Sequence, residues 1–270
     1  MNKVMKNFHQ KHPFHLVDPS PWPFIASLAV FSCAISSVLY FHVFFYGRNT
    51  LMVSLCFMFF VMFMWWRDVV RESTFEGHHT GLVQRGLRYG VLTFMVSEIT
   101  FFFAFFFAFF YNSLSPSIEV GSVWPPKGIY TMNPWQMPLL NTLILLLSGC
   151  TATWCHHATV SNLRKQAIIG MACTMILAIL FTLLQSYEYK ICDFRLSDGM
   201  YGCMFYMSTG FHGFHVIVGT MSLFVCLVRL MTLQLTQQHH FGFESSIWYW
   251  HFVDVVWLFL FVSIYWWGGV

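Results

Sequence analysis

Residues 19–47 read PSPWPFIASLAVFSCAISSVLYFHVFFYG, and none of them is Asp, Glu, Lys or Arg. Four more runs lack these residue types in the same way: 49–66, 128–163, 166–187 and 199–228. A helix needs about 20 predominantly apolar residues to cross a hydrocarbon core about 30 Å thick. Soluble domains do not repeat such runs five times, so the sequence predicts an all-α membrane protein.

The composition of the whole chain also indicates transmembrane helices. Charged residues make up 9% of its 270 residues, against about 25% in average globular proteins. The loop SLSPSIEVGSVWPPKGIYTMNPWQMP at 113–138 is too rich in Pro and Gly to be helical as a whole. The apolar runs and these breaks predict seven transmembrane helices, at about 22–45, 50–70, 80–111, 139–157, 163–187, 198–230 and 241–267.

The basic residues predict how these helices are oriented in the membrane. With seven spans, the N-terminus shares a side with the loops after helices 2, 4 and 6, and ten of the 14 Lys and Arg residues fall on that side. The N-terminus is therefore expected in the cytoplasm or the mitochondrial matrix. We divide the chain into an N-terminal tail on that side (1–21), helices 1 and 2 (22–70), and helices 3–7 (71–270).

Several classes of site are not expected from this sequence. Its eight Cys residues include no CxxC pair, and most lie inside apolar runs, where Cys behaves as a small apolar residue. Neither a disulfide framework nor a thiolate metal site is predicted. The sequence also contains no nucleotide-binding loop and no nucleophile motif, and its net charge of +3 gives no indication of nucleic-acid binding.

Glu98 lies within the apolar stretch VSEITFFFAFFFAFFY at 96–111. Burial among Phe rings disfavours a charged carboxylate, so Glu98 is predicted to be largely buried and mainly protonated at neutral pH. Ionisable groups inside transmembrane segments are functional by default, which favours a proton-handling or lipid-contacting role. The alternative is a neutral acid that hydrogen-bonds to a neighbouring helix, and both interpretations stay open.

His212 and His215 lie three residues apart in TGFHGFHVIVG at 209–219, on one face of helix 6. Paired His residues in a membrane bundle can bind haem or a metal. Two ligands on one helix would approach the same side of a haem, whereas a sandwiched haem needs ligands from two helices. The neighbouring Gly residues favour close helix packing instead.

The segment WWRDVVREST at 65–74 has the composition of a membrane boundary. Trp65 and Trp66 followed by Arg are typical of an interfacial anchor, and Arg can equally bind the phosphate of a phospholipid. Asp68 and Arg71 are three residues apart and can pair on one helix face.

Further His residues occur near the predicted helix ends and in helix 7. Neighbouring residues on a helix point about 100° apart, so adjacent His residues are poorly placed to bind one metal ion. Headgroup contact or helix capping is expected for the three adjacent pairs, His78–His79, His156–His157 and His239–His240. His251 and Asp254, three residues apart, are predicted to hydrogen-bond to each other or to a partner subunit.

From about His15 to its C-terminus, the chain resembles cytochrome c oxidase subunit III. The motifs that carry the resemblance occur in order and without a large gap: LVDPSPWP, WWRDVVRESTFEGHHT, GLRYG, SEITFFFAFF, WPPKGI, LLNTLILL, TGFHGFHVIVGT and HHFGFESSIWYWHFVDVVWLFLFVSIYWW. The chain departs from the family mainly in its N-terminal tail, in the Phe-rich part of helix 3 and in the segment YEYKICDFRLSDG.

The resemblance implies a fold in which helices 1 and 2 are splayed from a bundle of helices 3–7, with a phospholipid-filled cleft between them. It implies a subunit without a redox centre, since haem a, haem a3 and copper belong to subunits I and II. Its implied role is to stabilise subunit I, sustain proton uptake and protect the oxidase during turnover. That respiratory enzyme oxidises cytochrome c, reduces O2 to water and pumps protons.

The resemblance also implies a location and a set of site residues. The location is the mitochondrial inner membrane with the N-terminus in the matrix, or alternatively a bacterial plasma membrane. Glu98 matches the acid of helix 3 in the family. The implied lipid-binding positions, which include the two interfacial Trp residues, are Trp65, Trp66, Arg71, Glu72, His79 and Arg229.

Three alternative functions differ in how well the sequence fits them. A haem-binding membrane cytochrome rests on His212 and His215. A secondary transporter would need broken helices or an internal repeat, and neither is evident in the sequence. Subunit III of a quinol oxidase is the closest alternative, but the segments FVDVVWLFLF and WWRDVVREST favour the cytochrome c branch.

Overall fold

The computed structural model describes residues 11–118 and 121–269, and every regular element in these ranges is helical. Seven α-helices follow one another: α1 Trp22–Phe41, α2 Gly47–Thr74, α3 Gly81–Leu114, α4 Met137–Val160, α5 Arg164–Ile191, α6 Gly199–Met231 and α7 Phe241–Leu260. Each is long and apolar enough to cross a membrane, α7 together with its continuation to Gly269. The predicted all-α fold with seven membrane-spanning helices is confirmed.

Local sequence signals explain where several helices begin and end. Pro23 and Pro138 occupy the first turns of α1 and α4, where a missing backbone N–H costs no hydrogen bond. After α4, Asn162 adopts a φ of 59°, and the Leu163 N–H reaches back to the Ala158 carbonyl oxygen at 2.8 Å. This is the geometry of a Schellman motif, and Asn tolerates its left-handed residue better than most residues do.

The first helix ends earlier than the sequence predicted, at Phe41 rather than near residue 45. Val43 adopts a φ of 57°, and the Phe44 N–H bonds back to the Leu39 carbonyl oxygen at 3.0 Å. A β-branched residue such as Val43 rarely adopts this conformation. The turn could not be predicted, because neither Pro nor Gly occurs at this position. The chain then enters α2 at Gly47.

The chain forms two compact units, one up to Leu87 and one from Arg88 onwards. The predicted division after residue 70 lies near the end of α2, whereas these units divide within α3. In the first unit, α1 and α2 form a hairpin whose buried residues are mostly small: Ala29, Ser36, Gly47, Ser54 and Val61. A Cβ on Gly47 would lie 2.6 Å from the Leu39 carbonyl oxygen, so this approach requires glycine.

The second unit has an aromatic core around α7. Trp250 and Trp257 are fully buried, and each indole N–H has a partner on α4. Trp250 donates to the Ser148 hydroxyl at 3.0 Å, and Trp257 donates to the Thr142 hydroxyl at 2.9 Å. Buried Trp residues usually find such partners, because an unpaired N–H in an apolar core is costly. These bonds fix α7 against α4.

The end of the last membrane span is not an α-helix. Phe261–Trp266 form a π-helical segment, and Trp267–Gly269 form a short 3-10 turn. The sequence predicted one continuous helix to residue 267, because a π-turn leaves the apolar pattern unchanged. A wider turn changes the direction of the side chains that follow it, and such segments frequently mark functional positions.

Candidate functional site

Glu98 on α3 has a partner on α6 that the sequence did not reveal. Its Oε2 lies 2.8 Å from Nε2 of His215. The side chain of Glu98 is 22% exposed and that of His215 is 9% exposed. Glu98 is thus only partly buried within the chain itself, where the sequence predicted a largely buried acid. The ring of Phe102 lies 5.0 Å from that of His215 and covers one side of the pair.

The second nitrogen of His215 determines which protons the pair can hold. Its Nδ1 lies 2.6 Å from the carbonyl oxygen of Phe211, which can only accept a hydrogen bond, so Nδ1 carries a hydrogen. Two arrangements remain for the contact with Glu98. Either the protonated carboxyl donates to a neutral imidazole, or an imidazolium donates to the carboxylate. In both cases one hydrogen lies between Oε2 of Glu98 and Nε2 of His215.

His212 points away from this pair and towards α7. Its Nε2 donates to the carbonyl oxygen of Val253 at 3.1 Å, and the residue is 1% exposed. The rings of Phe181 and Trp257 lie 5.8 Å and 5.1 Å from the imidazole. The two His residues of helix 6 therefore join α6 to two different helices. No group of three His, Cys, Asp or Glu residues suited to a metal ion occurs in the part of the chain that the structure describes.

His251 and Asp254 form no hydrogen bond with each other in the described residues, and both face α4. His251 Nε2 lies 3.1 Å from the Thr153 hydroxyl. A Cβ on Gly149 would lie 3.0 Å from Asp254 Oδ2 and 3.5 Å from His251 Nδ1, so a larger residue at this position would crowd the Asp254 carboxylate. Asp254 is 8% exposed, and its Oδ1 has no hydrogen-bond partner in the described ranges.

The predicted lipid-binding residues of the first unit lie at the end of α2 and in the loop after it. Trp65 is 37% exposed and Trp66 is 61% exposed. Arg71 is exposed, while Glu72 and His79 are half-buried.

In the described residues, no salt bridge joins Asp68 to Arg71, although their spacing allows one. Asp68 Oδ1 accepts from Arg67 at 2.8 Å, and Asp68 Oδ2 accepts from the Trp22 indole at 2.7 Å. Both carboxylate oxygens are therefore bound by groups closer than the Arg71 guanidinium. Arg71 forms no salt bridge in the described part of the chain.

Arg229, the remaining predicted lipid-binding residue, belongs to the second unit. It lies in the last turn of α6 and is half-buried. A Cβ on Gly242 would lie 2.9 Å from its Nη1, so the guanidinium rests directly on the first turn of α7. Two residues further along α7, Glu244 forms a salt bridge of 2.9 Å with Arg88 of α3 that the sequence did not predict.

The structure shows how the adjacent His pairs are placed. In the first unit, His15 stacks on His78 with ring centroids 4.8 Å apart, and the Thr80 hydroxyl donates to the Pro13 carbonyl oxygen at 2.6 Å. These contacts pack the N-terminal segment on the loop between α2 and α3, which no local sequence pattern indicates.

In the second unit, the rings of His156 and His240 lie 5.5 Å apart.

A further buried acid, Glu188, was not predicted from the sequence. It is fully buried and lies with Gln185 on α5, beside Asn141 of α4 and Tyr265 of the π-helical segment. The sequence did not single out Glu188 because its neighbours Tyr187, Tyr189 and Lys190 are typical of a polar helix end. The helical period was the available signal, since positions 181, 185 and 188 share one face with buried residues.

Comparison with known proteins covers nearly the whole chain. Residues 12–269 match the family model described as cytochrome c oxidase subunit III. The chain is 70% identical over 260 residues to cytochrome c oxidase subunit 3 of Chondrus crispus, covering 96% of each protein. It is 58% identical over 260 residues to the subunit 3 of Prototheca wickerhamii, covering 96% of this chain and 99% of that protein. The subunit 3 of Cyanidium caldarium is 58% identical over 269 residues, with 100% and 99% coverage.

Proposed function

Because the chain belongs to the cytochrome c oxidase subunit III family, we propose that it serves as subunit III of a respiratory terminal oxidase. That enzyme oxidises cytochrome c, reduces O2 to water and pumps protons across the membrane. The observation that carries this proposal is the family match over residues 12–269, together with seven helices able to span a membrane. The proposed location is the mitochondrial inner membrane, with the N-terminus in the matrix on the basic side of the chain.

The chain itself is proposed to contribute no redox centre. Haem a, haem a3 and copper are expected in subunits I and II, which are its proposed partners together with further subunits. The His residues that could have held a haem have other partners, because His212 donates to Val253 and His215 bonds to Glu98 and Phe211. This arrangement gives no support to the alternative of a haem-binding cytochrome.

Its proposed role is to stabilise subunit I and to bind phospholipid. The helices present many large apolar side chains to their surroundings, for example Phe103 at 64%, Phe107 at 62% and Ile176 at 65% exposure. In a membrane, such surfaces are covered by acyl chains or by other subunits. The splayed arrangement of helices 1 and 2 with a lipid-filled cleft stays a prediction.

Phospholipid binding at the end of α2 has a specific physical basis. Arg71 is exposed and forms no salt bridge in the described residues, so its guanidinium is available to bind a phosphate bidentately. Trp65 and Trp66 lie one to two turns away on the membrane side of α2, where their rings suit the headgroup region. Glu72 and His79 offer further polar contacts to a zwitterionic headgroup. Arg229 is proposed as a separate phosphate contact in the second unit.

The support that this subunit gives to proton uptake is proposed to be indirect. Oε2 of Glu98 is occupied by the contact with Nε2 of His215 at 2.8 Å, and the ring of Phe102 covers one side of the imidazole. This contact joins α3 to α6. We therefore favour a packing role for Glu98 and expect proton uptake to depend on how well subunit I is held.

The proposal can be tested on the intact oxidase complex. We expect purification to recover this chain with haem-bearing subunits, and selective removal of the chain to leave the haem spectrum and copper content unchanged. Turnover should then end earlier, because subunit I is less well stabilised. Loss of haem or copper in proportion to the removed chain would contradict the proposal, as would an unchanged lifetime of the enzyme during turnover.

A further inference from the structure

Four polar side chains form a buried cluster where α4, α5 and the π-helical segment meet. Asn141 comes from α4, Gln185 and Glu188 come from α5, and Tyr265 comes from the π-helical segment. Asn141 and Glu188 are 0% exposed, Tyr265 is 2% exposed and Gln185 is 5% exposed. Buried polar groups are costly unless they form hydrogen bonds, so each polar atom of the cluster needs a partner.

Hydrogen bonds join the four side chains into one network. The Tyr265 hydroxyl donates to Glu188 Oε1 at 2.5 Å, and Gln185 Nε2 donates to the same oxygen at 3.2 Å. Asn141 Nδ2 donates to Gln185 Oε1 at 3.4 Å. Two buried atoms of this network, Glu188 Oε2 and Asn141 Oδ1, have no hydrogen-bond partner in the described part of the chain.

The surroundings of Glu188 indicate its protonation state. No Lys, Arg or His residue of the described ranges forms a salt bridge with it. A carboxylate would therefore place an uncompensated charge in the interior, which is costly. A carboxylic acid avoids this cost and needs one acceptor for its O–H. Because Oε1 already accepts two hydrogen bonds, the proton belongs on Oε2.

We propose that Glu188 is held as a neutral carboxylic acid and that its Oε2–H donates to internal water bound in this cluster. Water is the ligand class that fits, since it accepts the Glu188 proton and offers hydrogens that Asn141 Oδ1 can accept. Internal waters typically form about three hydrogen bonds to buried polar groups that lack protein partners. This water site is distinct from the lipid-binding residues and from the Glu98–His215 contact described above.

The site also gives the π-helical segment a function. The wide turn carries Tyr265 to Glu188, and the short bond between them joins the end of the last span to α5. The hydrated acid thereby positions the C-terminal end of the chain, where Thr131 further donates to the Gly269 carbonyl oxygen at 3.1 Å. Glu188 is therefore a positioning residue, which acts through its hydrogen bond with Tyr265.

Two substitutions in the intact oxidase separate a neutral acid from a carboxylate. Glu188→Gln keeps an acceptor for Tyr265 and a donor in place of Oε2–H, so we expect unchanged retention of this subunit on heating. Glu188→Leu removes both groups, and we expect retention to fail about 2–4 °C earlier. Tyr187→Phe is the matched control, because Tyr187 is an exposed neighbour. If Gln proves as harmful as Leu, the residue acts as a carboxylate and the proposal is wrong.

A spectroscopic and structural readout completes the test without relying on activity. We expect an infrared band of a protonated carboxyl group, shifted in D2O, that persists between about pH 6 and about pH 9 and is missing from Glu188→Gln. A high-resolution map of the oxidase should show water within hydrogen-bond distance of Glu188 Oε2. A missing band, or a cation or a side chain from another subunit at Oε2, would overturn the proposal.

Discussion

His215 bonds to Glu98 through Nε2 at 2.8 Å while its Nδ1 is engaged by the carbonyl oxygen of Phe211. The imidazole is thus fixed from both ends, and its orientation is set by its own helix before Glu98 is considered. Glu98 then binds an already oriented ring, which joins α3 to α6 at the middle of two long apolar helices.

Glu98→Leu should destabilise the second unit by about 1–3 kcal/mol, because it leaves Nε2 of His215 buried without a partner. Glu98→Gln should cost less, since its amide N–H can donate to Nε2. The measurement is the denaturant or thermal stability of the purified oxidase, with Asp193→Asn, at an exposed position after α5, as a control. Equal losses for Leu and Gln would show that the hydrogen bond itself contributes little.

Gly219→Ala should weaken the packing of α6 on α7, because the new Cβ would lie 3.0 Å from the ring of the fully buried Trp250. Overpacking of this kind costs about 1–3 kcal/mol. Gly213→Ala on the same helix is the matched control, since nothing lies within 4 Å of its Cβ position. That control should be neutral or slightly stabilising, as Ala is the better helix former. Comparable losses in both variants would refute the packing argument.

Trp257→Phe should lower stability by about 1–3 kcal/mol, because it removes the bond to Thr142 and leaves unfilled volume in the core. Trp266→Phe changes a residue that is 46% exposed and serves as the comparison. Thermal denaturation of the two variant complexes measures the difference. A larger loss of stability for Trp266→Phe than for Trp257→Phe would contradict this prediction.

Arg71→Ala should reduce the phospholipid that co-purifies with the oxidase and shorten its lifetime during turnover, because a bidentate phosphate contact is lost. Arg71→Lys should restore part of the effect, since Lys keeps the charge but not the paired N–H groups. Lipid analysis by mass spectrometry gives the first readout. Arg48→Ala, on the predicted opposite side of the membrane, controls for the loss of a positive charge. Unchanged phospholipid in Arg71→Ala would exclude this residue from lipid binding.

The sequence located the membrane helices well because insertion is decided within windows of about 20 residues. The apolar runs and the breaks between them therefore predicted all seven helices, and only their ends were misplaced. Helix 1 ends at Phe41 because Val43 takes a left-handed conformation, and the last span ends in a π-helical segment. Neither event requires Pro or Gly, so neither leaves a signal in the residue pattern.

The sequence by itself also singled out Glu98, His212 and His215, because polar residues are conspicuous in apolar surroundings. It could not assign their partners. Glu98 and His215 are 117 residues apart, and Glu188 and Tyr265 are 77 residues apart. Such contacts depend on which faces of two helices meet, and every one of these helices is apolar on most of its faces. Local hydrophobicity therefore determined that the chain spans the membrane, whereas tertiary packing alone decided which polar groups find each other inside it.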